Sequence, residues 1–123
     1  MIIIKEITFV DVRPYKLAAE VSGLVFSSTT KYFGLYNDSV LQAFCGVLYF
    51  KNKVVMKNVF VLPQYRGLGY FKELVNYRLK LFAHKTIEAT CTKMSSKYYK
   101  ELGFKEIKLY KNGCVKFTKK NNL

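Results

Sequence analysis

Tryptophan is absent, histidine occurs once, at His84, and cysteine three times, at Cys45, Cys91 and Cys114. An odd number of cysteines cannot close a full disulfide framework, and these three lack the spacing of a metal site or a redox motif. They read as reduced thiols, which points to the cytoplasm and to a site without metal. No run of about 18 uninterrupted apolar residues occurs, so no helical membrane span is expected. Met1-Ile2-Ile3-Ile4 is apolar, but Lys5-Glu6 follows at once, so this segment starts a strand and is not a signal peptide. Internal repeats and linker-like stretches are missing as well. Residues 1–123 are therefore expected to form one domain ending in a polar tail over 119–123.

Acidic residues are scarce: eight Asp and Glu stand against 21 Lys and Arg, for a net charge of +13. Most of the excess lies in residues 63–123, with fourteen basic side chains against four acidic; residues 1–62 hold seven against four. A field of that sign draws polyanions such as nucleic acid, anionic lipid heads, acidic peptides or a phosphorylated cofactor. The alternative is a genome that makes lysine-rich small proteins generally. What the chain has in quantity is material to bury. Half of it is hydrophobic, with ten Phe and ten Tyr, which excludes intrinsic disorder.

Residues 2–10 alternate as a strand. Pro14, a favoured first helical residue, opens a helix over 14–24 that ends near Gly23. Three strands follow, at 31–36, 40–50 and 54–62, joined by tight turns at Asn37-Asp38 and Lys51-Asn52-Lys53; short polar turns imply an antiparallel meander. The period then changes. Leu68, Phe71, Val75, Leu79 and Phe82 share one face of a helix over 67–84. A strand at 86–92 leads to a helix carrying Met94, Tyr98 and Leu102 on one face, with Gly103 as its C-cap glycine. A hairpin of 104–110 and 114–118 turns at Lys111-Asn112-Gly113. The order β-α-β-β-β-α-β-α-β-β predicts an α/β (α+β) fold: a mixed, mostly antiparallel sheet of about seven strands with about three helices.

Only one connection in that order joins a strand to a helix through a glycine-rich turn: Val59-Phe60-Val61-Leu62-Pro63-Gln64-Tyr65-Arg66-Gly67-Leu68-Gly69-Tyr70. Helix N-termini present unpaired backbone N–H groups and partial positive charge, and glycines let an anion come close. Arg66 adds a charged fork, and a pyrophosphate is the natural guest. Such a turn can also simply start a helix.

Gln64-Tyr65-Arg66-Gly67-Leu68-Gly69 resembles the Gln/Arg-x-x-Gly-x-Gly/Ala coenzyme A signature of the GNAT N-acetyltransferases. Tyr98-Tyr99-Lys100-Glu101-Leu102-Gly103-Phe104 is similar to that family's second recurrent segment, Tyr-x-x-x-Gly-Phe. The resemblance covers roughly residues 31–118. It implies a GNAT fold with a V-shaped splay between two parallel strands, acetyl-coenzyme A as donor, and direct attack of a primary amine on the thioester. By the same resemblance Val59, Phe60 and Val61 offer main-chain groups to the pantetheine arm. The N–H groups of Tyr65 to Tyr70 hold the pyrophosphate, with Gln64, Thr92 and Ser95 also on the cofactor side. Tyr99 stands where the family's general acid stands, and a phenol of pKa near 10 keeps its proton at pH 7; a packed aromatic is the other reading of that residue.

The chain departs from the family in three places. Many relatives carry a Glu on the splayed strand that drains a proton from the amine; here that position is Lys57, and Glu88 on the next strand is the nearest acid. Thr92 replaces a frequent Asn. The segment after the first strand is short, which implies an open acceptor site or one completed by a second subunit, a homodimer. Cys91 lies near the opening, but nothing beside it in sequence would activate a nucleophile. The acceptor is left open. The charge disfavours a cationic small amine and favours one borne on a polyanion, which keeps two alternatives in view. One is a phage-type nucleic-acid base modifier, with Lys93, Lys97, Lys100, Lys105, Lys108 and Lys111 beside the site. The other is a relative that binds coenzyme A or nucleic acid without transfer.

Overall fold

A computed structural model describes residues 1–91 and 93–120. Its seven strands form one sheet in the order β1-β2-β3-β4-β5-β7-β6. They are β1 Ile2–Ile7, β2 Thr30–Asn37, β3 Val40–Tyr49, β4 Lys53–Val61, β5 Thr86–Cys91, β6 Lys105–Leu109 and β7 Val115–Lys119. Four short-to-medium helices accompany them: α1 Phe9–Val12, α2 Lys16–Val21, α3 Tyr70–Leu81 and α4 Lys93–Glu101. Every described strand pair is antiparallel except β4 with β5.

The N-terminal segment differs from expectation. β1 stops at Ile7 because the Asp11 carboxylate accepts from both the N–H and the hydroxyl of Thr8, at 3.1 and 3.3 Å, and so starts a helix at Phe9. Pro14, in a 3-10 turn spanning Arg13–Tyr15, then separates α1 from α2, so one expected helix becomes two short ones. Lys119, expected in the tail, closes β7, and residues 121–123 lie outside the described residues. The helix expected from Gly67 begins at Tyr70, and Leu68 is exposed in the turn before it.

Side-chain alternation across the sheet divides the apolar residues into two layers. On one face Ile7, Val12, Ala19, Leu24, Tyr32, Phe44 and Phe60 pack beneath α1 and α2. On the other, Phe33, Leu35, Val47, Met56, Leu74, Val75, Ile87, Tyr99 and Phe117 pack beneath α3 and α4. Full burial of a large apolar side chain contributes about 1.5–3 kcal/mol, so both layers weigh heavily. The sheet between them is thus held from both sides, and its one parallel seam lies in the interior.

Candidate active site

The parallel seam opens along its length. β4 pairs with β5 only over Lys53–Met56 against Thr86–Ala89; from Lys57 onward β4 leaves its neighbour. The divergence coincides with a bulge. β3 and β4 pair Cys45 with Val59 and Val47 with Met56, so Lys57 and Asn58 together oppose Gly46. A bulge leaves carbonyls without ladder partners, and these two have one. Arg78 of α3, with no solvent exposure, donates from Nη1 to Gly46 O at 3.1 Å and to Lys57 O at 2.8 Å, while its Nε reaches Leu74 O at 3.3 Å. A buried arginine therefore fastens the point where the sheet splits. Its Nη2 has no partner among the described residues.

Beyond the bulge, Leu62 N–H donates to Gln42 O at 3.0 Å. Antiparallel alternation then turns the main-chain groups of Phe60 toward Phe44 on β3 and those of Val59 and Val61 toward the gap left by β5. Val61 O already accepts from Arg66 Nε at 3.0 Å, and the Arg66 guanidinium lies 5.7 Å over the Phe60 ring. Arg66 is therefore folded against β4 and does not fork over the turn. Of the three strand residues expected to offer backbone, Val59 turns both its groups to the gap and Val61 its N–H, with no partner for them among the described residues.

The glycine-rich turn is held at both ends by one residue of β3. Gln42 O takes the N–H of Leu62, and Gln42 Oε1 takes the buried Tyr70 hydroxyl at 2.7 Å. Between them Gly67 and Gly69 have φ of +83° and +84°, and a Cβ on either would meet nothing within 4 Å. Backbone conformation, not crowding, demands glycine here, and the space alongside is open. Tyr65 and Arg66 spend their N–H groups inside the turn, on Leu62 O and Pro63 O. The expected cradle of 65–70 narrows to 67–70: among the described residues the N–H groups of Gly67, Leu68, Gly69 and Tyr70 have no backbone acceptor. They sit at the N-terminus of a 12-residue helix, a site built for an anion.

A cleft of about 550 Å³ runs along this surface, lined by Val59, Phe60, Val61, Tyr65, Arg66, Gly67, Gly69 and Tyr70 together with Ser22, Phe71 and Lys72. Gln64 and Leu68 are exposed outside it, Ser95 is half-buried on α4 and does not line it, and Thr92 lies outside the described residues. Ser22 arrives from the end of α2, a contact no local pattern announces.

Tyr99 is 4% exposed, with its ring stacked on Phe117 at 5.9 Å and edge-on to Phe104 at 5.2 Å. The helix end explains the second motif. Gly103, at φ +92°, donates to Lys100 O, and Phe104 N–H donates back to Tyr99 O, closing a Schellman turn whose apolar contact is the Tyr99–Phe104 pair. The same motif that locks the helix end thus locks Tyr99. Burial pushes its phenol up to about 12; the Arg78 guanidinium opposes the rise, and Cys91, Cys45 and Tyr98 add to it. Of these neighbours Arg78 holds the bulge and Cys91 lines the cavity described next, while Tyr99 itself is not among the described lining residues of either cavity at the splay.

A second cavity, of about 410 Å³, lies at the splay, lined by Ser22, Gly23, Val25, Val55, Met56, Lys57, Thr90, Cys91, Asn112 and Cys114. Ser22 borders both cavities. Cys91 is 6% exposed, and burial, with the Cys114 thiol beside it, pushes its own thiol up to about 11, so it is no ready nucleophile. Glu88 is held between Lys53 and Lys116 at 3.2 and 3.3 Å and is turned to that pairing. Lys105 and Lys108, expected beside the site, stand on β6, the edge strand that β7 separates from β5. A further cleft of about 540 Å³, over Phe9, Phe26 and Tyr32, shares no lining residue with these two.

Comparison with known proteins agrees with this architecture. An acetyltransferase (GNAT) domain model matches residues 28–106. No curated protein matches by sequence. The ribosomal-protein-S18-alanine N-acetyltransferase of Escherichia coli superposes with a TM-score of 0.78 at 15% identity, over 100% of this chain and 96% of that one. The Bacillus subtilis N-acetyltransferase YlbP, solved with coenzyme A, gives 0.64 at 18%, over 98% and 97%. N-acetylglutamate synthase of Neisseria gonorrhoeae, solved with coenzyme A and N-acetyl-glutamate, gives 0.75 at 14%, over 100% of this chain but 36% of its own length. A split parallel seam, an amide cradle at the following helix and a family model that spans most of the chain lead to one assignment: this chain belongs to the GNAT acetyltransferase family.

Proposed function

We propose that the chain, as one catalytic unit, transfers an acetyl group from acetyl-coenzyme A to a primary amine. The observation that carries this reading is the cradle at Gly67-Leu68-Gly69-Tyr70: four backbone amides with no backbone acceptor among the described residues, beside open space at a helix N-terminus. A diphosphate suits it in charge and size. Val59 and Val61, turned to the gap, suit an amide-bearing arm running along β4 from that cradle. YlbP and the Neisseria synthase were both solved with coenzyme A, which supports the same donor here. Three free cysteines fit a cytoplasmic setting.

Within this reading the residues divide the work. The cradle amides bind, Gln42 fixes the cradle, and Arg78 keeps the seam split so that the acyl carbon meets the second cavity. Tyr99 keeps a proton at Oη for the sulfur that departs. Full transfer from a phenol near 12 to a thiolate of ordinary pKa near 8.5 is uphill by about 5 kcal/mol. Tyr99 therefore acts chiefly as a hydrogen-bond donor to developing charge, with transfer completed late.

The test is calorimetric titration with coenzyme A, paired with thiol release from acetyl-coenzyme A in the presence of amines. Saturable binding and amine-dependent release are expected. Gly67→Val, which forces a β-branched residue to φ +83° and fills the cradle, is expected to weaken coenzyme A binding at least tenfold; no detectable binding by the native chain would overturn the reading.

A further inference from the structure

The second cavity, like the cleft beside it, has a cationic lining. Its described lining holds one charged side chain, Lys57, and no carboxylate. The one acid on β5, Glu88, is 13% exposed at its side chain and already paired with Lys53 and Lys116. The other titratable groups facing the cavity are the thiols of Cys91 and Cys114, and the loop after α2 contributes Ser22, Gly23 and Val25, none of which titrates. Among the described lining residues there is no carboxylate to attract an ammonium or take its proton. An ammonium seated within about 6 Å of the Lys57 ammonium would be disfavoured about a hundredfold at an effective dielectric near 20. The main chain of Lys57 is fixed, because its carbonyl accepts from Arg78 at the bulge.

We propose that this cavity accepts weakly basic amines, those substantially neutral near pH 7, and that Lys57 is the residue that sets the choice by excluding ammonium groups. The proposal rests on the acetyl-transfer reading and deepens it. A peptide α-amine of pKa near 8 is about one-quarter neutral at pH 7.5, whereas an alkyl amine near 10.4 is about 0.1% neutral. A neutral amine needs no base. Its lone pair forms the N–C bond, the C–S bond breaks with its electrons going to sulfur, and sulfur takes a proton from Tyr99. The surplus proton on nitrogen returns to the phenolate through solvent, so protons balance without a carboxylate. A peptide α-amine and an aromatic amine share this chemistry.

The experiment measures kcat/KM for amine-dependent thiol release at pH 7.5 with three acceptors of similar size: a dipeptide α-amine, an aniline-type amine, and the side-chain amine of Nα-acetyl-lysine amide. Native protein is expected to favour one of the first two over the lysine amine by more than a hundredfold; which of them leads tells the two sources apart. Ionisation alone gives a large ratio, so the deciding readout is Lys57→Glu. That variant is expected to narrow the ratio at least tenfold while coenzyme A affinity, the check on folding, stays within twofold; Lys57→Gln should fall between. A native protein that acetylates the lysine amine as well as the others overturns the proposal and leaves acetyl transfer standing. A ratio unmoved in Lys57→Glu removes Lys57 as its cause and overturns the proposal likewise. Coenzyme A binding with no turnover of any amine would instead sink the acetyl-transfer reading, and this inference with it.

Discussion

The two sides of the splay are built by opposite means. In the proposed reading the donor side comes from one nearly contiguous stretch, 59–72, and its working groups are backbone amides whose placement depends on two left-handed glycines and one clamp, Gln42. The acceptor side gathers the end of α2, the middle of β4, the end of β5 and the turn before β7, and its working groups are side chains. A backbone site tolerates change in side chains as long as the turn forms. A side-chain site can be rewritten one residue at a time. The contrast suggests a fixed donor and an adjustable acceptor within one fold, with Arg78 at the boundary between them.

The largest effect is therefore expected at Arg78. Arg78→Met keeps the packing volume but strips Gly46 O and Lys57 O of their donor. Each buried unsatisfied group costs about 1–3 kcal/mol, so urea denaturation should show a loss of about 3–5 kcal/mol. Arg78→Lys retains a charged donor and should recover more than half of that loss. Coenzyme A affinity and acceptor KM should both worsen in the variant that still folds, because one bulge shapes both cavities. Stability within about 0.5 kcal/mol of native for Arg78→Met would mean the seam splits unaided, and the two sides would then be independent.

Arg78 also marks where sequence reading stops. Apolar periodicity points to a face of Leu68, Phe71, Val75, Leu79 and Phe82, yet the buried face is Tyr70, Leu74, Val75, Arg78 and Phe82. A periodicity built on apolar residues passes over an arginine, although Tyr70, Leu74 and Arg78 fall four apart and so share a stripe. The donor turn was legible because its geometry is local: glycines, a preceding strand and a following helix suffice. The insertion of β7 between β5 and β6 was not, since a hairpin pattern pairs two strands without saying which of them meets a third. That placement moved Lys105 and Lys108 to the far edge. Thr8 and Asp11, a capping pair readable at their spacing, were overridden by the apparent alternation through Val10.

In the proposed mechanism Tyr99 separates donor binding from chemistry. Removing its hydroxyl in Tyr99→Phe keeps the ring contacts with Phe104 and Phe117, so coenzyme A affinity and fold stability should stay near native while kcat falls about a hundredfold. The pH dependence follows from the direction of its shift. The folded phenol titrates near 12, above the usual 10, so the protonated form outlasts pH 10. Its contribution to stability is complete below pH 10 and is lost as pH rises through 12. Any fall in kcat from this group belongs to the same window. Unchanged turnover in Tyr99→Phe would return the residue to its Schellman contact alone.

The smallest effect concerns the cavity thiols and sharpens the acceptor side of the contrast. With its thiol held near 11, Cys91 is about 0.1% thiolate at pH 8, against roughly a quarter for an ordinary cysteine near 8.5. A more basic thiolate is intrinsically more reactive, with a Brønsted slope of about 0.4–0.5, which recovers some tenfold of that deficit. Reaction of Cys91 with an aromatic disulfide reagent should thus run about ten to twenty times slower than that of an exposed model thiol, before any steric factor. The rate should rise steadily with pH up to about 11. Acetyl-coenzyme A alone should leave no acetyl group on Cys91 by intact mass. A stable acetyl adduct there would replace direct attack with a two-step transfer, and would turn the acceptor cavity into part of the donor machinery.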